Sequence, residues 1–231
     1  MPSIVYYPSY QNLRICFNPE FLTERSAKFD FINQSRFILG GNEDDVDKVA
    51  KLYCDRFGNT TPVIKTNYET AEMIKYAANS FLALKISYIN EIANLCEKVG
   101  ADVHQVANGM GKDGRISSKF LHPGPGFGGS CFPKDTRALI NIGEKFKTNL
   151  SIVKSVVNSN NKRKVLLTKK VETILKGNLK GKIISFLIFV LCLMFGITSA
   201  TAAVKIAIST KELFFAALSI SFAVFIFDYI V

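Results

Sequence analysis

Residues 68–99 read YETAEMIKYAANSFLALKISYINEIANLCEKV, a stretch without proline or glycine. Met73, Ala77, Phe81, Leu84, Ile89, Ile92 and Cys96 recur at helical spacing within it, which predicts one long helix. At about 1.5 Å per residue it spans about 48 Å. A helix of that length, apolar over much of its surface, packs against more than its own domain. Gly100 stops it, and a shorter helix starts near Asp102. Lys75 and Asn79 stand four positions apart and share one face of the long helix.

The residues before this helix carry α/β punctuation. Leu13 to Asn18 has the apolar character of a short strand, and Asn18-Pro19 then supplies an N-cap and a first-turn proline. The expectation is a helix on which Glu20 and Glu24 project together near the positive end of the dipole. A second strand, Arg36-Phe37-Ile38-Leu39, ends at Gly40-Gly41. Asp44 to Asp55 has helical spacing, and Pro62-Val63-Ile64 follows.

Beyond the helix, Gly109-Met110-Gly111-Lys112-Asp113-Gly114 matches the Gly-x-Gly-x-x-Gly pattern literally. It follows a helix and no βαβ unit surrounds it, so it fails the context that dinucleotide binding requires. Residues 126–135 read GFGGSCFPKD. Glycines let backbone N–H groups approach a bound phosphate or sugar, and Cys131 sits where the chain turns out of them. Nearby cations and helix N-termini favour a thiolate, and Lys134 and the turn after Pro133 are placed to do so. A lone cysteine in a tight turn is otherwise a buried structural residue.

Three separated motifs, Asn18-Pro19-Glu20-Phe21-Leu22, Glu72-Met73-Ile74-Lys75-Tyr76-Ala77-Ala78-Asn79 and the Gly126–Asp135 run, together resemble the UDP-glucose/GDP-mannose dehydrogenase family. The similarity extends in the family's order from about Leu13 to Phe186 and is nearest to the UDP-glucose-oxidising branch. It implies an NAD-dependent, two-step oxidation of a sugar C6 alcohol to a carboxylate through a cysteine thioester. Cys131 is then the nucleophile, with Lys75 and Asn79 as oxyanion stabilisers. Asp135 orients water or holds Lys75, and Glu24, with Glu20 beside it, is the base for hydrolytic water. Phe21, Leu22, Phe120, Phe127 and Gly128 contact the UDP-sugar, Arg115 resembles an arginine that one subunit donates to its partner's site, and Lys134 falls on the cofactor side. His122 occupies a position that is basic in many relatives. The 68–99 helix would form a homodimer. Other nucleotide sugars remain open as substrates, as does a non-catalytic dimerising or membrane-anchored remnant.

The 231 residues carry a formal net charge of +10, which suits an anionic UDP-sugar and a dinucleotide. No basic stripe is interleaved with aromatics, which argues against nucleic acid. Five cysteines are widely spread, with no Cys-x-x-Cys and no histidine near them to complete a zinc set. They read as reduced thiols, and no secretory signal precedes them, so the expected compartment is the cytoplasm.

The expected organisation is an α/β remnant of a Rossmann-like NAD-binding domain over 1–65 and an all-α central dimerisation domain over 66–160. A linker helix over 161–182 and an apolar tail over 183–231 follow. The family's first strand and Gly-rich NAD turn, and its UDP-binding Thr-Asp-Asp-x-Arg run, have no counterpart, so the expectation is an incomplete dehydrogenase. Ile183 to Val204 has no charged residue and is long enough to cross a bilayer core of about 30 Å, whereas Leu213 to Phe227, a second uncharged run, is short and would have to extend toward Val231 to complete a membrane hairpin. The favoured reading is instead a frame change or gene break after Leu187, because the family pattern stops there at a strand and not at a linker. Lys176, Lys180 and Lys182 would hold the preceding part on the cytoplasmic side.

Overall fold

The structure is a computed structural model in which residues 14–23 and 26–174 are described. The expectations for the 183–231 tail and for Glu24 lie outside them. The described residues form three strands, six α-helices and one 3₁₀ turn. They divide into two compact units, one holding the chain up to Phe81 with Ala138–Asn149, the other Leu82–Arg137 with the chain from Leu150.

The first unit is built on β1 (Cys16–Phe17), β2 (Phe37–Gly41) and β3 (Val63–Thr66), in the order β1-β2-β3. β1 pairs antiparallel with β2, Cys16 opposite Gly41. β2 pairs parallel with β3, Phe37 opposite Val63. A parallel pair needs a crossover, and α2 (Glu43–Phe57) supplies it, its first turn bearing Glu43, Asp44 and Asp45 where the dipole favours anions. Phe37, Ile38 and Leu39 are all buried, so β2 is covered on both faces, as its continuous apolar run implies. Leu39, Val46 and Ala50 form the core with Cys16, Val49, Tyr53 and Val63 around them. Each large side chain so buried contributes about 1.5–3 kcal/mol. Phe37 stacks on Tyr53 with ring centroids 4.0 Å apart.

Gly40 brings β2 onto the start of α3 (Tyr68–Val99). A Cβ there would lie 2.5 Å from the Ala71 Cβ and 2.9 Å from the Asn67 carbonyl oxygen. Asn67 also caps this end, its Oδ1 accepting from the Thr70 N–H at 2.9 Å. The Tyr68 hydroxyl donates to the Ile15 carbonyl at 2.6 Å and ties in β1.

One expectation fails here. Asn18–Thr23 is not helical, and the next helix, α1, starts at Ala27 and ends at Ile32. The Glu20 carbonyl, which a helix would use for its own ladder, accepts from the Lys75 ammonium instead. The Glu20 carboxylate accepts from the Leu22 N–H at 2.9 Å, a local bond that competes with helix formation.

In the second unit, α4 (Val103–Gly111), the start of α5 (Cys131–Lys145) and α6 (Ser151–Ile174) gather around the later turns of α3. Ala83, Phe127 and Val156 form one cluster, and Ile89, Ala107 and Leu121 another. α3 and α6 run side by side in the same direction. Ser87 meets Val156, Glu91 meets Ser159, Asn94 meets Arg163 and Glu97 meets Lys170 in succession. The long helix has the predicted bounds, and Gly100 ends it at φ 75°. Its apolar residues do not form one buried face, however: Ala83, Ile89 and Cys96 are buried while Met73, Phe81, Tyr88, Leu95 and Val99 are exposed. No helix among the described residues is long and apolar enough to cross a membrane.

Candidate active site

Of the predicted site residues in the first unit, Glu20, Phe21 and Lys75 are brought together. Lys75 lies on the second turn of α3, its side chain only 13% exposed, with its Nζ 3.3 Å from Glu20 Oε1. The ammonium stands 5.2 Å from the centroid of the Phe21 ring, and the Arg36 guanidinium lies 4.3 Å from the same centroid. An aromatic face flanked by two cations is an electrostatic clasp, and it holds the Asn-Pro-Glu segment against α3. Leu22 is half-buried beside it. Asn79 follows Lys75 one turn later on α3, and its side chain is buried.

In the second unit, Cys131 is the first residue of α5, where the sequence places a turn leading into a helix. Its thiol is half-buried, with Sγ 3.7 Å from Ser130 Oγ. Asp135, one turn on, is fully buried and accepts from the Lys134 ammonium at 2.6 Å. The Lys134 cation therefore sits on the carboxylate beside it. Phe127 packs edge-on against Phe132 at 6.1 Å, and Phe132 edge-on against Phe120 at 6.0 Å. Three rings thus line the approach from the loop to the first turn of α5. Gly128 is half-buried in that loop.

Arg115 lies on the exposed loop after α4. Asp113 grips its guanidinium at two points, Nε to Oδ1 at 3.0 Å and Nη2 to Oδ2 at 2.6 Å. That grip holds the Asp113 carboxyl below its ordinary range. Lys85 fixes the next residues by donating to the carbonyls of Ile116 and Ser117 at 2.9 and 3.1 Å. His122 is exposed. The Gly109–Gly114 run lies at the end of α4. Gly111 serves packing, since a Cβ there would lie 2.8 Å from the Ser118 Cα.

Three residues at the site carry no signal in the sequence. Asn90 on α3 and Asn160 and Arg163 on α6 bond the main chain of the loop that leads to Cys131. Each sits far from the loop in sequence, inside an unremarkable helical pattern, so only the packing of α6 against α3 brings them to it.

The model of the UDP-glucose/GDP-mannose dehydrogenase family, central domain, matches residues 69–162. Over 170 residues the chain is 49% identical to the UDP-glucose 6-dehydrogenase TuaD of Bacillus subtilis, covering 74% of this chain and 36% of that protein. It is 45% identical over 177 residues to the UDP-glucose 6-dehydrogenase of Rickettsia typhi, covering 76% of this chain and 41% of the relative. Among solved structures, the UDP-glucose dehydrogenase of the archaeon Pyrobaculum islandicum superposes with a TM-score of 0.67 at 38% identity, covering 72% of this chain and 38% of that one. The chain thus spans about two fifths of the length of the curated relatives it matches.

Proposed function

We propose that this chain, whose residues 69–162 match the central domain of the UDP-glucose/GDP-mannose dehydrogenase family, serves the oxidation of a UDP-linked hexose at C6. The observation that carries the reading is Cys131 at the head of α5, with buried Asp135 one turn behind it and a clamped glycine-rich loop in front. Oxidation of an alcohol to an acid removes four electrons in two stages, so the intermediate aldehyde has to be held. The Cys131 thiolate adds to the aldehyde carbon and forms a thiohemiacetal. Loss of a hydride and a proton converts this to a thioester, and water then releases the carboxylate and restores the thiol.

Both tetrahedral adducts carry an oxyanion, and Lys75 and Asn79 are its donors. The Glu20 and Phe21 contacts to Lys75 support this role, because a cation fixed in advance costs no reorganisation when charge develops. Glu20, with Glu24, is the base for the hydrolytic water, and Asp135 orients it. Phe21, Leu22, Phe120, Phe127 and Gly128 shape the sugar side, and Arg115 reaches towards a partner subunit's substrate.

The oxidising power would come from two molecules of NAD, one for each hydride. The exposed Lys134 ammonium suits the phosphates of an anionic dinucleotide, whereas the Gly109–Gly114 run does not fit one, because it closes a helix and packs on Ser118. The cytoplasm is the compartment this chemistry calls for.

A homodimer through α3 is supported by Phe81, Tyr88 and Leu95, exposed apolar residues at seven-residue spacing and so on one side of the helix. The same stripe favours the second reading, a dimerising module without turnover. Purified protein supplied with UDP-glucose and NAD separates the two. The proposed reaction yields two NADH per UDP-glucuronate and a Cys131-linked acyl adduct in quenched samples. A folded dimer with neither product leaves only the module.

A further inference from the structure

We propose that Asn160 and Arg163 of α6, with Asn90 of α3, are positioning residues that set the stance of Cys131 by clamping the backbone of Gly124–Phe127. The inference rests on the reading of Cys131 as the nucleophile. Asn160 takes both main-chain groups of Phe127: Oδ1 accepts from its N–H at 2.8 Å and Nδ2 donates to its carbonyl at 3.0 Å. Gly124 is held in the same two-sided way. Its N–H donates to Asn90 Oδ1 at 2.8 Å, and its carbonyl accepts from Arg163 Nε at 2.9 Å.

Three side chains therefore satisfy four backbone groups on two loop residues, the work a neighbouring strand would do in a sheet. Asn90 and Asn160 are 3% and 4% exposed, so water is a poor substitute for either. Arg163 spends two donors on neutral acceptors, the Gly124 carbonyl and Asn94 Oδ1, and burial lowers its affinity for its proton. A guanidinium held at such a cost fixes geometry more than it adds stability.

The held backbone ends at Phe127, with three residues between it and the nucleophile. Gly126, between the two held residues, is at φ 107°, and a Cβ there would collide with Asn160 Oδ1. Phe127 is locked by its ring as well as its backbone, among Ala83, Val156 and Phe132. Phe132 adjoins Cys131, and α5 begins at that cysteine. Cys131 is thus bracketed by Phe127, held by α6, and by Phe132, packed on the same cluster, and through these two residues α6 sets the stance of Sγ.

The test compares Asn160→Ala, Asn160→Asp and Arg163→Lys in the full chain. Iodoacetamide labelling of Cys131 is followed by peptide mass spectrometry, with Cys54 in the same molecule as the reference. An unclamped loop exposes the half-buried thiol, so the Cys131-to-Cys54 rate ratio should rise at least about threefold in Asn160→Ala. The rise should be smaller in Asn160→Asp, which keeps the acceptor, and in Arg163→Lys, which keeps one donor. In UDP-glucose oxidation kcat should fall about 10–100-fold while KM stays within about threefold. A rise confined to Cys131, with Cys54 labelling unchanged and kcat lowered, marks a positioning role, because loss of global stability exposes both thiols. Unchanged labelling ratios in folded variants overturn the proposal, and if Asn160→Ala does not fold, the other two decide. The labelling test stands even if wild-type protein forms no Cys131 adduct, a result that would refute the functional reading alone.

Discussion

Asn160 pairs with Phe127 as one strand residue pairs with another, accepting from its N–H and donating to its carbonyl. The intervening Gly126 admits no side chain, because its φ of 107° and the Asn160 oxygen both exclude a Cβ. Gly126→Ala should cost about 1–3 kcal/mol, read as a lower midpoint in thermal unfolding by circular dichroism. Gly109→Ala is the opposite case. It lies in α4 with nothing within 4 Å of its ideal Cβ, so the change should add about 0.5–1 kcal/mol. A loss of NAD-dependent activity in Gly109→Ala would contradict the packing role assigned to that run.

Cys131→Ala should abolish formation of the acyl adduct and the second hydride transfer, while UDP-glucose affinity by calorimetry stays within about threefold. Loss of binding along with turnover would make the residue structural. Because Cys131 heads α5 and its thiol is only half-buried, removing one sulfur leaves the helix intact.

Lys75→Met removes the cation while keeping most of the stem. It should lower kcat about 10²–10³-fold, the range for loss of one oxyanion donor. The variant also frees the Glu20 carbonyl and carboxylate. Faster amide exchange at Leu22 should accompany the kinetic loss, and an unchanged kcat would remove Lys75 from the chemistry.

Asp102 caps α4, accepting from the His104 N–H at 2.8 Å, and this bond holds its carboxyl below the ordinary range. A folded-state pKa below the unfolded one gives stability that is complete above the unfolded value and lost as pH falls through the folded value. Asp102→Asn caps without titrating. The stability difference between the two proteins should therefore move in favour of the variant below about pH 4. A difference that stays flat with pH would mean that the cap does not act through its charge.

Leu95→Asp puts a carboxylate in the exposed apolar stripe of α3, where no core contact is lost. Light scattering after size exclusion should then give a monomer from a wild-type dimer, with the circular dichroism spectrum unchanged. A dimer that persists would place the interface elsewhere.

Much of the fold was legible because its signals are local. The Tyr68–Val99 helix needs only its spacing and the glycine after it, and β2 needs only an apolar run closed by glycines. The helix expected at Glu20 was not found, since the same local cues were outweighed by Lys75, fifty-five positions away, taking the carbonyl such a helix would use. Lys75, Asn79, Cys131 and Asp135 could be singled out as candidates from motifs that keep their spacing along the chain. Asn90, Asn160 and Arg163 could not, because a polar residue within a helix gives the same sequence signal whether it faces water or a buried loop.

The sequence by itself determined where the long helix runs, which cysteine follows the glycine-rich loop and which family the central segment resembles. These follow from backbone propensity and motif order, which act over a few residues at a time. Only the tertiary structure decided that Lys75 rests on Glu20 and Phe21 and that α6 holds the loop in front of Cys131. A buried backbone group must find a partner, and which side chain meets it depends on how helices distant in sequence pack together.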